Sequence, residues 1–312
     1  DTTKCGQGVA ATSKAINLLF GVYARSILDR MREILLKNAR PIILATHNSE
    51  AHLNDVYSQH MSELGNHDNT NWTCNDFSEW DSSFRSCFAK VTSRLLIMIG
   101  CPEKLAQWFE NFRESWRMEY RHEFGKTVLS GFEKQFSGNP FTICENTIGN
   151  MALCFISFEY KGLDFAMFKG DDSAVRCTHS VLTEKGRNLI KFTGHGLKLH
   201  NTPIGEFAGW FLTPYGLYPD VVRYAAKFID KPYRSEEHLQ EALNSLQERV
   251  SAVKTETQKR CGATMAYLHY RGILGVDTFT VGEIENLFNF IKSSRTIRFS
   301  DLKPQELPVR LL

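Results

Sequence analysis

None of the eight cysteines (Cys5, Cys74, Cys87, Cys101, Cys144, Cys154, Cys177 and Cys261) belongs to a C-x-x-C pair. That spacing excludes a zinc knuckle and offers no disulfide framework, so the set reads as reduced, mostly buried thiols of a cytosolic-type protein. No apolar run is long enough to span a bilayer, and the first residues do not form a signal peptide. Neither sign of charge dominates: 37 Lys+Arg stand against 35 Asp+Glu, a net charge of +2. A globally basic coat is therefore excluded, and any nucleic-acid role must rest on a local channel. No two of the ten histidines have the i, i+4 spacing with a nearby Glu that a helical metal site requires. No internal repeat and no flexible linker interrupt the chain, and 9 Pro and 21 Gly are too few for collagen or low-complexity sequence. What is present is ordinary globular material, 42% hydrophobic with 22 Phe among 312 residues, enough for one large domain or two modest ones. The opening DTTKCGQG carries no Met, and the expectation is a piece of a longer polypeptide.

Apolar residues at helical spacing (Ile16, Phe20, Tyr23, Ile27, Met31) predict a long helix over 13–37, with Arg25, Arg30, Arg32 and Lys37 mainly on its wet side. Residues 46–71 are polar and read as loop or weak helix. Trp72 to Asp76 reads as a short strand, 82–99 as a helix, and Pro102 as the opening of another. Residues 118–136 are mixed, with room for a hairpin. A helix is expected from about Phe141 to Tyr160, with Pro140 in its first turn. Strands at 164–169 and 173–177 flank Gly170-Asp171-Asp172 as a hairpin. A helix near 182–193, a strand at 196–199, a hairpin over 206–217 and charged helices from Asp220 complete the reading. Trp108, Trp116 and Trp210 are assigned to core packing rather than to base stacking.

Three segments carry the chemistry: DFSEWD at 76–81, SGNPFTICENT at 137–147 and KGDDS at 169–173. Each has a plain explanation alone. An acidic turn is usually solvated, a Ser-Gly before a helix is usually a cap or loop, and Asp76 and Asp81 can simply flank the helix that follows. Together they suggest more. Two strand ends that each offer a hard carboxylate can hold Mg²⁺, which accepts phosphate oxygens and water alongside protein oxygens. Two such ions suit in-line phosphoryl transfer, one activating a 3′-hydroxyl and the other neutralising the leaving pyrophosphate. Thr142 and Asn146 are four apart, so a helix stacks them on one face, able to point hydrogen-bonding groups at a sugar. Gly138 allows a close backbone approach to a ligand.

In that order and at that separation, the three segments resemble motifs A, B and C of viral RNA-dependent RNA polymerases. The nearer likeness is to the alpha-like positive-strand RNA viruses, and within them to the hepatitis E virus-like replicases. KCGQGVAATSK at 4–14 is similar to the end of motif F, GHGLKLH at 194–200 to motif D, and 205–228 to the stretch that includes motif E. The resemblance covers roughly residues 1–230. It implies an α+β right-hand polymerase with partial fingers over 1–71, an antiparallel-sheet palm over 72–220 with a fingers insertion near 101–136, and a mostly helical thumb over 221–312. It implies Asp76 and Asp171 as the principal ligands of two Mg²⁺ ions, with Mn²⁺ as a substitute and Asp172 close by. Asp81 with Asn146 would sense the ribose 2′-hydroxyl, supported by Ser137 and Thr142. Lys198 matches the motif D lysine, a proton donor to pyrophosphate, and Lys4 and Lys14 would meet triphosphate or template backbone. For these lysines a plain surface charge is an equal or better explanation.

The implied function is RNA-templated RNA synthesis from NTPs. The implied partners are an RNA template, a nascent strand, NTPs and other regions of a replicase polyprotein, without direct membrane insertion. The implied setting is the host cytoplasm, in membrane-associated replication complexes. One departure stands out: the fingers of such enzymes begin well before motif F, whereas this chain starts almost inside it. Two other functions remain open on the residues. Paired aspartates also serve two-metal nucleases, although hydrolysis needs no ribose sensor. A replicase core that only binds RNA or partner proteins is the other.

Overall fold

The computed structural model describes residues 13–38, 40–46, 49–64, 71–78, 80, 86–132, 138–275 and 277–294, with backbone alone at Asp76, Ser78, Tyr120, Arg121, His122 and Leu199. These residues fall into two compact units, one within Asp1–Thr46 and Asn69–Pro203, the other within His47–Asp68 and Ile204–Leu312. Both mix helix and sheet.

The first unit opens with α1 (Lys14–Leu36), capped by the Ser13 hydroxyl and burying Phe20, Ala24, Ile27 and Leu28. Arg32 departs from the expected wet face: it is half-buried and its guanidinium donates to the Thr46 carbonyl. Then come β1 (Ile42–Leu44), β2 (Asn71–Ser78), α3 (Ser86–Met98) and α4 (Glu103–Glu114). The mixed stretch resolves into a hairpin of β3 (Ser115–His122) and β4 (Gly125–Phe132), paired in register from Ser115↔Phe132 to His122↔Gly125. Helix α5 (Thr142–Ser157) follows an N-cap at Phe141, so Pro140 precedes the cap rather than entering the first turn. The unit ends with β5 (Phe158–Lys161), β6 (Phe165–Lys169), β7 (Asp172–Cys177), β8 (His179–Leu182), α6 (Glu184–Thr193) and β9 (Gly196–Thr202).

Its main sheet has the order β1-β6-β7-β2-β9. Every pairing is antiparallel except β1 with β6, which run parallel. The main-sheet strands drawn from 72–220 thus pair antiparallel, as expected, and β1, from residues for which no strand was expected, adds a parallel edge. Hairpin signals in a sequence report only strands joined by tight turns, and β1 reaches its partner through a long crossover. Beneath the sheet, Phe20, Phe109 and Phe141 form one aromatic knot with ring centroids 4.7 to 6.1 Å apart. Trp108 is not a core residue: it is 45% exposed, its ring stacked on Phe20 and Phe112.

Helix α6 leans on the end of α5 at one point. A Cβ on Gly186 would lie 2.2 Å from the Ser157 carbonyl oxygen, which also accepts from the Thr183 amide and hydroxyl at 3.0 Å. Gly186→Ala is expected to force the helices apart at a cost of about 1–3 kcal/mol, read as a fall in Tm of about 5 °C. An unchanged melting curve would show that the contact gives way freely.

The second unit holds α2 (Glu50–Leu64), a three-stranded meander of β10 (Gly205–Phe207), β11 (Trp210–Thr213) and β12 (Gly216–Pro219), and helices α7 (Val221–Asp230), α8 (Glu236–Ser251), α9 (Glu256–Leu274) and α10 (Val281–Ser293). Polar residues 46–71 therefore contain a firm helix. Its buried side is Leu53, Asn54, Tyr57 and Met61, and one of the four is polar, which thins the apolar stripe. Asn54 is satisfied from residues distant in sequence: it donates to the Ala252 carbonyl at 2.8 Å and accepts from the Leu217 amide at 2.7 Å. Among the described residues no helix is long and apolar enough to cross a membrane. Seven of the cysteines are described, all free, and five of them are buried; Cys87 is exposed and Cys261 half-buried.

Candidate active site

The acidic turn of KGDDS is built as its residues dictate. Lys169 pairs with Asp172 across the β6–β7 hairpin, leaving Gly170 and Asp171 as a two-residue tip. Gly170 takes φ +60°, the left-handed value that a glycine-first hairpin turn demands. Asp171 is exposed at the tip and Asp172 is half-buried at the start of β7.

Strand β2 lies between β7 and β9, and its register brings three of the singled-out residues onto one rung. Asp76 is paired with Asp172 on one side and with Lys198 on the other. Neighbouring strands are about 4.8 Å apart, so two strand ends far apart in sequence meet at the middle of the sheet. Lys198 is exposed on β9. Among the described residues, no three His, Cys, Asp or Glu side chains form a metal-holding group; the Asp76 side chain lies outside that description.

Helix α5 supplies the floor. Thr142 and Asn146 both lie on it, Asn146 only 8% exposed. The Thr142 hydroxyl donates to the Asn139 carbonyl at 2.9 Å, and the Asn139 side chain accepts from the Phe141 amide at 2.9 Å, so the loop before the helix is tied to its first turn. Gly138 is half-buried in that loop. Lys14 is exposed at the start of α1. Lys4, Asp81 and Ser137 lie outside the described residues.

The structure adds residues that the sequence reading did not single out. Thr147 and Asn150 of α5 clasp the hairpin tip: the Gly170 amide donates to the Thr147 hydroxyl at 2.9 Å, and the Asn150 side-chain amide donates to the Gly170 carbonyl at 3.1 Å. One position before Asn146, Glu145 accepts from Arg113 of α4 at 2.8 Å and from the Thr92 hydroxyl of α3 at 2.8 Å. Their only trace in the sequence is a polar stripe, Thr147-Asn150-Cys154, at helical spacing inside an otherwise apolar segment. His195, in the turn between α6 and β9, is 5% exposed and packs against Trp80, Phe77 and Phe88 with centroid distances of 4.2, 5.7 and 6.0 Å. That aromatic nest fixes the entry to β9, and so the approach to Lys198, against the end of β2.

Comparisons with known proteins bear on the chain as a whole. A family model described as RNA dependent RNA polymerase matches residues 2–285. The non-structural polyprotein pORF1 of a swine isolate of hepatitis E virus genotype 3 is 32% identical over 233 residues, 73% of this chain and 13% of that polyprotein. The genotype 1 polyprotein of a human isolate from China (HeBei) is 31% identical over 235 residues, again 73% of this chain and 13% of its own length. The chain thus spans about an eighth of the curated relatives it matches. Among solved structures, the RNA-dependent RNA polymerase of a human picorbirnavirus superposes with a TM-score of 0.55 at 12% identity, covering 92% of this chain and 57% of that one. The insertion-loop deletion mutant of that enzyme gives the same TM-score, 0.55, at 14% identity over 90% of this chain and 60% of that one. At such identities the likeness speaks for the fold alone.

Proposed function

This chain belongs to the RNA-dependent RNA polymerase family, and from that premise we propose that it catalyses RNA-templated addition of ribonucleotides to a 3′ end, as the polymerase region of a viral replicase polyprotein. The observation that carries the proposal is the shared rung of Asp76, Asp172 and Lys198, with Asp171 exposed at the adjoining tip. On this reading residues 72–220 form a palm with a fingers insertion near 101–136, residues 1–71 part of the fingers and 221–312 the thumb.

Asp76, Asp171 and Asp172 would hold two Mg²⁺ ions, or Mn²⁺ in their place. The donor set fits: all three offer hard carboxylate oxygens, and the exposed tip leaves coordination positions for water and phosphate oxygens. Bound there, the ions would supply charge neutralisation on the triphosphate and a more acidic 3′-hydroxyl.

The protein's own residues do the rest. Lys198, exposed on the far side of the rung from Asp172, donates a proton to the departing pyrophosphate. Asn146 and Asp81 hydrogen-bond the ribose 2′-hydroxyl, with Thr142, Ser137 and Gly138 in support. Lys4 and Lys14 meet triphosphate or template phosphates. The template selects the base by pairing, and the protein reads backbone shape and the 2′-hydroxyl. The partners on this reading are a template and a nascent RNA, NTPs and other regions of the polyprotein. The setting is the host cytoplasm, in replication complexes associated with membranes.

Incubating the chain with an RNA primer, a template and the four NTPs in Mg²⁺ tests the reading. Extension of the primer is the expected result; shortening points to a nuclease, and an unchanged primer bound to the protein to a non-catalytic core. A second measurement addresses the sugar. A site built around a hydroxyl strongly disfavours the analogue that lacks it. Asp81→Ala is therefore expected to reduce the rNTP/dNTP selectivity ratio by about 100-fold, the worth of a charged hydrogen bond. An unaltered ratio would count against Asp81 as the ribose sensor.

A further inference from the structure

The tip of the β6–β7 hairpin is exposed, yet it is held from below by a chain of buried polar side chains. Asn75 of β2 donates to the Cys154 sulfur at 3.2 Å, and Cys154 donates to the Asn150 side-chain oxygen at 3.2 Å. Asn150 passes its own donor to the Gly170 carbonyl, and Thr147 accepts from the Gly170 amide. Ser173 of β7, paired across the sheet with Asn75, also touches the Cys154 sulfur at 3.5 Å. None of Asn75, Thr147, Asn150, Cys154 or Ser173 is more than 3% exposed. The chain therefore joins β2, α5 and the hairpin, the three elements that carry the three acidic or sugar-facing segments.

The direction of each bond follows from the chemistry of Cys154. Burial pushes its thiol up to about 11, with Ser173 and Asn75 opposing through hydrogen bonds. At neutral pH the sulfur thus keeps its proton and has one to give. That proton selects the oxygen end of the Asn150 amide, which turns the NH₂ end toward the Gly170 carbonyl. Both polar atoms of the Gly170 peptide unit are thereby spoken for, and a residue at φ +60° gains a defined position despite its intrinsic freedom. Successive residues of a strand face opposite ways. With Ser173 turned toward α5, Asp172 is directed to the other face.

We propose that Thr147, Asn150 and Cys154 are positioning residues that set the geometry of the Asp171 and Asp172 carboxylates by clamping the Gly170 peptide. The proposal rests on the polymerase reading of the same site. It assigns to the middle of α5 a task separate from ribose recognition at Asn146: one helix holds the sugar-facing group near its start and the metal-facing turn near its centre. Distortion of the clamp shifts where a cation sits without altering which nucleotide is accepted.

The test uses Mn²⁺ alone as the probe, on the whole chain. Thr147→Val preserves side-chain shape and removes the acceptor; Thr147→Ser keeps the oxygen. The Val variant is expected to weaken Asp171-dependent Mn²⁺ binding about tenfold, the scale of one buried hydrogen bond, while the Ser variant stays within about twofold of wild type. In primer extension the Val variant is expected to lower kcat by a similar factor and to leave the NTP KM and the rNTP/dNTP ratio unchanged. Cys154→Ala, which spares both partners of Gly170 but removes the donor that orients Asn150, carries the same test should Thr147→Val fail to fold. Wild-type Mn²⁺ affinity and kcat in folded Thr147→Val would overturn the clamp and leave the polymerase reading standing. A wild-type chain whose Mn²⁺ binding is indifferent to Asp171→Asn would overturn both.

Discussion

Asp171→Asn is expected to reduce nucleotide addition by about 10³-fold or more while leaving the fold intact. The substitution keeps size and shape and removes one negative charge. The transition-state stabilisation that a bound cation supplies amounts to several kcal/mol, and about 4 kcal/mol corresponds to 10³ in rate. Stability hardly enters, because Asp171 is exposed at the tip of a two-residue turn and surface substitutions of this kind stay within about 0.5 kcal/mol. Single-turnover primer extension and a melting curve on the same preparation separate the two quantities. Incorporation within tenfold of wild type, at unchanged Tm, would remove Asp171 from the metal site. Asp172→Asn is a useful companion: that residue is half-buried and lies on the rung with Asp76, so its loss combines a catalytic effect with a modest structural one.

The second large effect is on stability. Arg113 and Glu145 form an ion pair at 2.8 Å with side chains 4% and 1% exposed. The other Glu145 oxygen accepts from Thr92 at 2.8 Å, and the Arg113 guanidinium also lies 5.6 Å from the Phe109 ring centre. Coulomb attraction in such a place is largely cancelled by the cost of removing both charges from water. Breaking the pair is another matter: Arg113→Leu strands a carboxylate in the interior and is expected to cost about 3–5 kcal/mol. In a chain of this size that lowers Tm by about 10 °C. The double variant Arg113→Leu/Glu145→Leu, which removes both charges, is expected to be more stable than Arg113→Leu alone. A double variant less stable than Arg113→Leu would refute this account. The pair ties α5 to α4 one residue before Asn146, so its loss frees the start of the helix on which Thr142 and Asn146 lie.

Much of the site was legible before any coordinates. Gly170-Asp171-Asp172 between β-forming runs specifies a tight hairpin, because glycine alone takes the left-handed first position without strain. Helix α5 was legible from the loop residues and Pro140 that precede it, and α4 from Pro102 followed by Trp108, Phe109 and Phe112, although Trp116, expected on the same helix, stands on β3. Asp76 was placed on a strand by the run Trp72 to Asp76, although β2 continues to Ser78. In each case the controlling physics is local, acting over one turn of helix or one reversal of chain.

Other features were not legible, for an equally physical reason. Helix α2 was hidden because Asn54 sits where an apolar residue is expected, and its partners, Leu217 and Ala252, come from the far end of the chain. Trp108 looked like a core residue, yet it stacks on Phe20 and Phe112 and leaves nearly half its surface to water. Thr147, Asn150 and Cys154 read as unremarkable helix residues until β6 and β7 lay beside them.

By itself, then, the amino-acid order determined most of the helices and the acidic hairpin. Only tertiary structure decided that Asp172, rather than Asp171, stands opposite Asp76, that Lys198 completes the rung, and that α5 grips Gly170. Turn chemistry and side-chain period are set by neighbours in sequence, whereas strand register and buried hydrogen bonds are settled by partners that the chain brings together only when its core closes.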